Sequence, residues 1–91
     1  MTVVVRLPST LADVAGGARE LEVGAGVLGE VLDAVAARHP VLGRRLRDET
    51  GMIRRHVNVY VDGADVRGTG GLATGVADGS VVEVLPSVAG G

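Results

Sequence analysis

Thr2-Val3-Val4-Val5-Arg6-Leu7-Pro8 decides the fold. The run is β-branched and apolar and is bounded by Pro8-Ser9, so it reads as a strand buried on much of both faces and placed centrally in a sheet. Its counterpart lies at the other end of the chain, where Ser80 to Leu85 forms a last apolar strand closed by Pro86. Two Val-rich strands at opposite ends of the sequence are accounted for if they pair in parallel at the centre of the sheet, where buried strands carry continuous apolar runs.

The segments between them follow from their periods. Ala18 to Val23 alternates with period two, as a half-exposed strand does, and Ala15-Gly16-Gly17 supplies the turn that makes it a hairpin partner of the opening strand. From Val27 to Arg38 the apolar positions Val27, Leu28, Val31, Leu32, Val35 and Ala36 recur at helical spacing, which predicts one long amphipathic helix. Pro40 stops it, because proline cannot donate the hydrogen bond that a continuing helix needs. Val41 to Glu49 carries Leu42 and Leu46 at helical spacing, the pattern of a short second helix broken by Thr50-Gly51. His56 to Val61 alternates again and runs into Asp62-Gly63, a type I′ hairpin signal, followed by a short strand near Ala64 to Val66. Gly68 to Gly71 reads as loop and Asp78-Gly79 as a turn.

Hairpin, helix, connection, strand, short strand and terminal strand make an α+β chain with one main helix across a mixed sheet, the ubiquitin-like β-grasp order. Residues 1–86 form this single domain, and residues 87–91 are expected to be a flexible tail outside every element.

The composition of the 91 residues, 46% apolar and 22% charged, is that of one globular domain. Its absences exclude whole classes of function. With no Cys there are no disulfides, thiolate metal sites or Cys nucleophiles. Tyr60 is the only aromatic, so the stacking platforms of single-strand and RNA binding are missing. A net charge of −2 argues against general polyanion binding. The opening residues lack the basic and apolar regions of a signal peptide, and no apolar stretch approaches the ~20 residues of a membrane span. The expectation is a soluble, cytoplasmic protein with no membrane or nucleic-acid partner. So short a chain leaves little room for a deep enclosed active site, which favours a carrier, adaptor or subunit over a self-contained enzyme.

The side chains that could carry chemistry point the same way. His39 and His56 have no carboxylate at ligand spacing, whereas a zinc site needs three or four convergent ligands, so they read as ordinary satisfied or solvent-facing histidines. Ser80 and Ser87 lack a positioned base and no Gly-x-Ser-x-Gly occurs. Gly68-Thr69-Gly70-Gly71-Leu72-Ala73 superficially resembles a dinucleotide loop, but the ~30-residue strand-helix-strand unit it would open is absent, and it reads as a flexible turn. Arg44, Arg45, Arg47, Arg54 and Arg55 place five of the nine cations, all arginine, within twelve residues. Such a run is usually a solvated face; docking against an acidic partner is the alternative.

The final pair, Gly90-Gly91, is different. Chain ends often contain glycine, yet two residues without a Cβ can enter a narrow channel in a partner enzyme and present an α-carboxylate at a remote catalytic centre. Adenylation by a separate ATP-using enzyme would turn that poor electrophile into an acyl-adenylate. Attack by sulfide or a persulfide would then give a thiocarboxylate, and attack by a protein lysine would give a tag.

Residues 56–67 (His56-Val57-Asn58-Val59-Tyr60-Val61-Asp62-Gly63-Ala64-Asp65-Val66-Arg67), with Gly70-Gly71-Leu72-Ala73-Thr74, Asp78-Gly79 and Val84-Leu85-Pro86-Ser87-Val88-Ala89-Gly90-Gly91, resemble the ThiS/MoaD sulfur-carrier family, most of all its actinobacterial cysteine-forming branch. The likeness is dense over residues 56–91, extends to the opening strand and the helix from Val27, and is weak over 9–26 and 37–55. The resemblance implies that the chain is a co-substrate rather than an enzyme and that Gly91 is adenylated and thiocarboxylated by a MoeB/ThiF-type activating enzyme. It implies that Gly90, Ala89 and Val88 give access to the partner's site, and that Leu85 and Pro86 belong to an apolar grip on partners; for Leu85, packing on the core is an equal alternative. In the cysteine route the thiocarboxylate attacks an aminoacrylate held on pyridoxal phosphate by a cysteine-synthase-like partner, and a metallopeptidase releases the product. ATP, zinc and pyridoxal phosphate therefore belong to partners, which include natural-product sulfur-insertion enzymes as another outlet. The rivals are a molybdopterin synthase small subunit, a ubiquitin-like protein modifier and an adaptor with an inert tail.

Overall fold

The computed structural model describes residues 1–86. Strand β1 (Thr2–Arg6) pairs antiparallel with β2 (Glu20–Gly24), from Thr2 opposite Gly24 to Arg6 opposite Glu20. On its other edge β1 runs parallel to β7 (Val81–Pro86), with Val4 opposite Val81 and Arg6 opposite Glu83. β7 also pairs antiparallel with β4 (Val57–Val61), which turns back through Asp62-Gly63 into β5 (Ala64–Asp65). The resulting order, β2-β1-β7-β4-β5, places the last strand at the centre beside the first. This is the mixed sheet of the β-grasp arrangement that the element order predicts.

Helix α2 (Leu28–Arg38) lies across one face and buries Leu28, Val31, Leu32 and Val35 against Val3, Val5, Val59, Val82 and Val84. Among the described residues no helix closes the other face of the sheet, whose side chains are exposed or half-buried. This corrects the reading of β1 as buried on much of both faces: Val3 and Val5 are buried, Val4 is half-buried, and Thr2 and Arg6 are exposed. Burial on both faces accompanies sheets with helices on both sides, and here a single parallel pair sits within an otherwise antiparallel sheet.

Val27 does not join the apolar stripe. It caps α2, and its N–H donates to the Glu30 carboxylate at 3.1 Å, satisfying a donor that the helix start leaves unpaired. The entry is pinned by a two-stranded ribbon of β3 (Gly26–Val27) and β6 (Gly75–Val76), which the sequence reading does not contain. Two-residue strands are too short to show any period. Pro40 both follows the end of α2 and opens α3 (Pro40–Leu46), where a missing N–H costs nothing in the first turn. Helix α3 buries Leu42 and Leu46 and ends earlier than Glu49, as Arg47 turns extended and bridges to Ile53.

Two connections carry more structure than expected. Ser9–Ala12 forms the single-turn helix α1, continued by a 3-10 turn over Asp13–Ala15, before Gly16 and Gly17 reverse the chain at positive φ. Gly68 to Ala73 is a reversal with local structure of its own: 3-10 turns cover Val66–Gly68 and Gly71–Ala73, and the hydroxyls of Thr69 and Thr74 meet at 3.0 Å.

Candidate functional site

The site is built at the downstream end of β7. Leu85 stands opposite Asn58, and Pro86 opposite Val57, so the central strand carries the chain to one end of the sheet. Along β7 the side chains alternate, Val82 and Val84 going to the core, while Leu85 is 39% exposed. Leu85 is thus available at the surface rather than committed to the core. Leu85 and Pro86 line a groove of about 190 Å³ together with Leu11 from α1, Val84, and the polar pair Arg45 and His56. The remaining predicted site residues, Val88, Ala89, Gly90 and Gly91, lie outside the described residues, as does Ser87.

The other candidates are accounted for locally. The Ser80 hydroxyl is buried and donates to the Asp62 carboxylate at 2.8 Å, so it is a turn clamp. Asp62 also accepts from the Val81 N–H at 2.9 Å. That backbone bond first, and the Ser80 bond second, hold its carboxyl below the usual carboxylate range. Asp48 is likewise lowered, chiefly by the Thr50 hydroxyl, inside the Asp48–Met52 turn. His39 occupies the junction of α2 and α3, and its carbonyl accepts from Gly43, whereas His56 is exposed in the groove beside Arg45. Among the described residues no three His, Cys, Asp or Glu side chains come together as a metal site would require, and no helix is long and apolar enough to cross a membrane.

The arginine run divides. Arg47 turns back to Asp33 at 2.6 Å, Arg45 lines the groove, and Arg44 and Arg54 line a neighbouring one with Val41, Arg54 being anchored through its Nε to the Arg44 carbonyl at 2.7 Å. Leu11 is the site residue that the sequence does not reveal. It reaches the groove from a one-turn helix some seventy positions away from Leu85, and no spacing rule spans such a gap.

A five-stranded mixed sheet gripping one main helix, with its central strand feeding an exposed apolar edge, defines a ubiquitin-like β-grasp protein. The chain belongs to the ThiS family, whose model matches residues 5–91 and so runs through both final glycines. Among its relatives, the sulfur carrier protein CysO of Mycobacterium tuberculosis is 41% identical over 93 aligned residues that cover all of both chains. The crystal structure of that protein matches with a TM-score of 0.88 at 39% identity, over 94% of this chain and 99% of the other. A chain of the Amycolatopsis orientalis BexX/CysO complex matches with a TM-score of 0.90 at 39% identity, over 98% and 99%. Small archaeal modifier protein 3 of Haloferax volcanii is 41% identical over 64 residues, 70% of this chain and 68% of its own.

Proposed function

We propose that the chain is a sulfur carrier whose Gly91 α-carboxylate is adenylated by a MoeB/ThiF-type enzyme and converted to a thiocarboxylate that donates sulfur in the biosynthesis of cysteine or another sulfur-containing metabolite. The observation that carries this reading is the end-to-end likeness to CysO, together with a family match that extends through Gly91. In the first step the carboxylate attacks the α-phosphorus of ATP and pyrophosphate leaves. In the second, a sulfur nucleophile displaces AMP from the acyl carbon. The chain supplies the acyl group and no catalyst; ATP, zinc and pyridoxal phosphate belong to its partners, ATP to the activating enzyme and pyridoxal phosphate to a cysteine-synthase-like acceptor. The absence of Cys is compatible with this chemistry, because the sulfur rides on a carbonyl carbon. The absence of Lys leaves no side-chain amine on which the activated end could conjugate to its own chain.

Incubation with ATP, an activating enzyme and sulfide should raise the intact mass by the difference between sulfur and oxygen, localised to Gly91 by fragmentation. Deleting Gly91 should abolish the gain and leave the far-UV circular dichroism unchanged, since the buried core is complete by Val84 among the described residues. A wild-type chain that gains no mass, or gains it at an internal residue, would sink the carrier reading. The second reading, a protein modifier, is favoured by the likeness to Small archaeal modifier protein 3. It is distinguished by lysine isopeptides ending in this Gly-Gly.

A further inference from the structure

The groove beside Leu85 and Pro86 is continuous with a shallower one, because both are lined by Arg45 and His56; the second adds Val41, Arg44 and Arg54. Three features set this surface apart. First, among the described residues no carboxylate side chain lines either groove, although the chain has eleven acidic residues against nine basic ones. Second, among the described residues Arg6, Arg47 and Arg67 each have a carboxylate partner, at 3.2, 2.6 and 3.6 Å, whereas Arg19, Arg38, Arg44, Arg45, Arg54 and Arg55 have none, and Arg44, Arg45 and Arg54 come together on this one surface. The bond from Arg54 to the Arg44 carbonyl holds its guanidinium in place, and its charge reaches Asp48 only through space, with no ion pair formed. Third, Val41 and Leu85, two of the few large apolar side chains left exposed, at 42% and 39%, line this basic surface.

Unpaired cations bordering an apolar slot are complementary to carboxylates bordering an apolar side chain. We propose that this surface docks an acidic segment of a partner protein: one apolar side chain enters between Leu11, Val84 and Leu85 while flanking carboxylates meet Arg44, Arg45 and Arg54. Since Pro86 forms part of the wall, the partner so held is the enzyme that receives the last residues of the chain, a step that rests on the carrier reading. Nucleic acid fits less well: the slot is walled by aliphatic side chains, and Tyr60, the only aromatic, is not among its lining residues. Arginines at the rim of an interface act mainly on the association rate and its salt dependence.

The test titrates the full, isotope-labelled chain with four probes: a peptide of Asp and Glu around a single Leu, the same peptide with Lys in place of the acids, inorganic phosphate, and a single-stranded oligonucleotide. The acidic peptide should give saturable amide shifts centred on Leu11, Arg45, His56, Val84 and Leu85, weakening with added salt. The basic peptide and phosphate should not, and the Arg45→Glu/Arg54→Glu double variant, checked for an unchanged spectrum elsewhere, should lose the response. No saturable shift, a response centred on another face, or an undiminished response in the double variant would overturn the proposal. Equal shifts from phosphate would assign the surface to a free anion, and tighter binding of an oligonucleotide to nucleic acid, each against it. In a second arm, the double variant should raise the KM of an activating enzyme for the chain about tenfold, with a weaker salt dependence. An unchanged KM would remove that enzyme as the partner. If the wild-type chain gains no mass, the carrier reading falls, while the peptide titration still decides the groove.

Discussion

Asp62 shows how much a single side chain can fix. It adopts φ 49° and Gly63 φ 86°, the two left-handed positions of a type I′ turn, and its carboxylate ties that turn to Ser80 and Val81 at the start of the central strand. A carboxyl whose pKa is lowered by folding contributes stability above its unfolded pKa, about 3.9, and that contribution is lost as pH falls through the folded value. Asp62→Asn keeps the turn, since Asn also accepts positive φ, but removes the charge. It should be less stable than wild type at neutral pH, with the gap closing on acidification below about pH 4, as read from urea midpoints across that range. The hairpin was legible in the sequence because it needs only two adjacent residues. The clamp was not, since its partners stand eighteen and nineteen positions away.

At the scale of elements, the junction of α2 and α3 turns on Gly43. A Cβ there would lie 2.5 Å from the Ala36 Cβ and 2.9 Å from its Cα, so the two helices approach as closely as they do only because residue 43 has no side chain. On an isolated helix Gly→Ala is favourable, by about 1 kcal/mol. Here the clash is with backbone, and Gly43→Ala should instead destabilise by about 1–3 kcal/mol, measured by urea denaturation. Helical period announced both helices, through Leu28 to Val35 in one and Leu42 and Leu46 in the other. It could not announce their contact, because closeness between helices is a property of their packing angle and not of either sequence alone. The same limit explains why α1 and the β3–β6 ribbon were not foreseen: elements of two to four residues carry no repeat, and their stability comes from what they pack on.

Across the whole molecule, the last described element is the middle of the sheet. β7 pairs with β1 on one edge and β4 on the other and places Val82 and Val84 in the core, so the fold closes only when both ends of the chain meet. A chain ending at Gly79 should therefore lose cooperative unfolding and native circular dichroism altogether, in contrast to the deletion of Gly91 alone. The same arrangement brings residues from α1, α3, β4 and β7 to one end of the sheet, where Leu11, Arg45, Val57 and Leu85 line a common groove.

By itself, the sequence determined the order of the longer strands and helices, the parallel meeting of the two Val-rich strands and the identity of the final glycines, because period, turn chemistry and terminal composition are local and need no partner to be expressed. Only the tertiary structure decided which face of the sheet is covered, which arginine of the run is paired with Asp33, and which one lines the groove with Leu85 and Pro86. Those are matters of distance between segments remote in the chain, and charge and burial act through space rather than along the backbone.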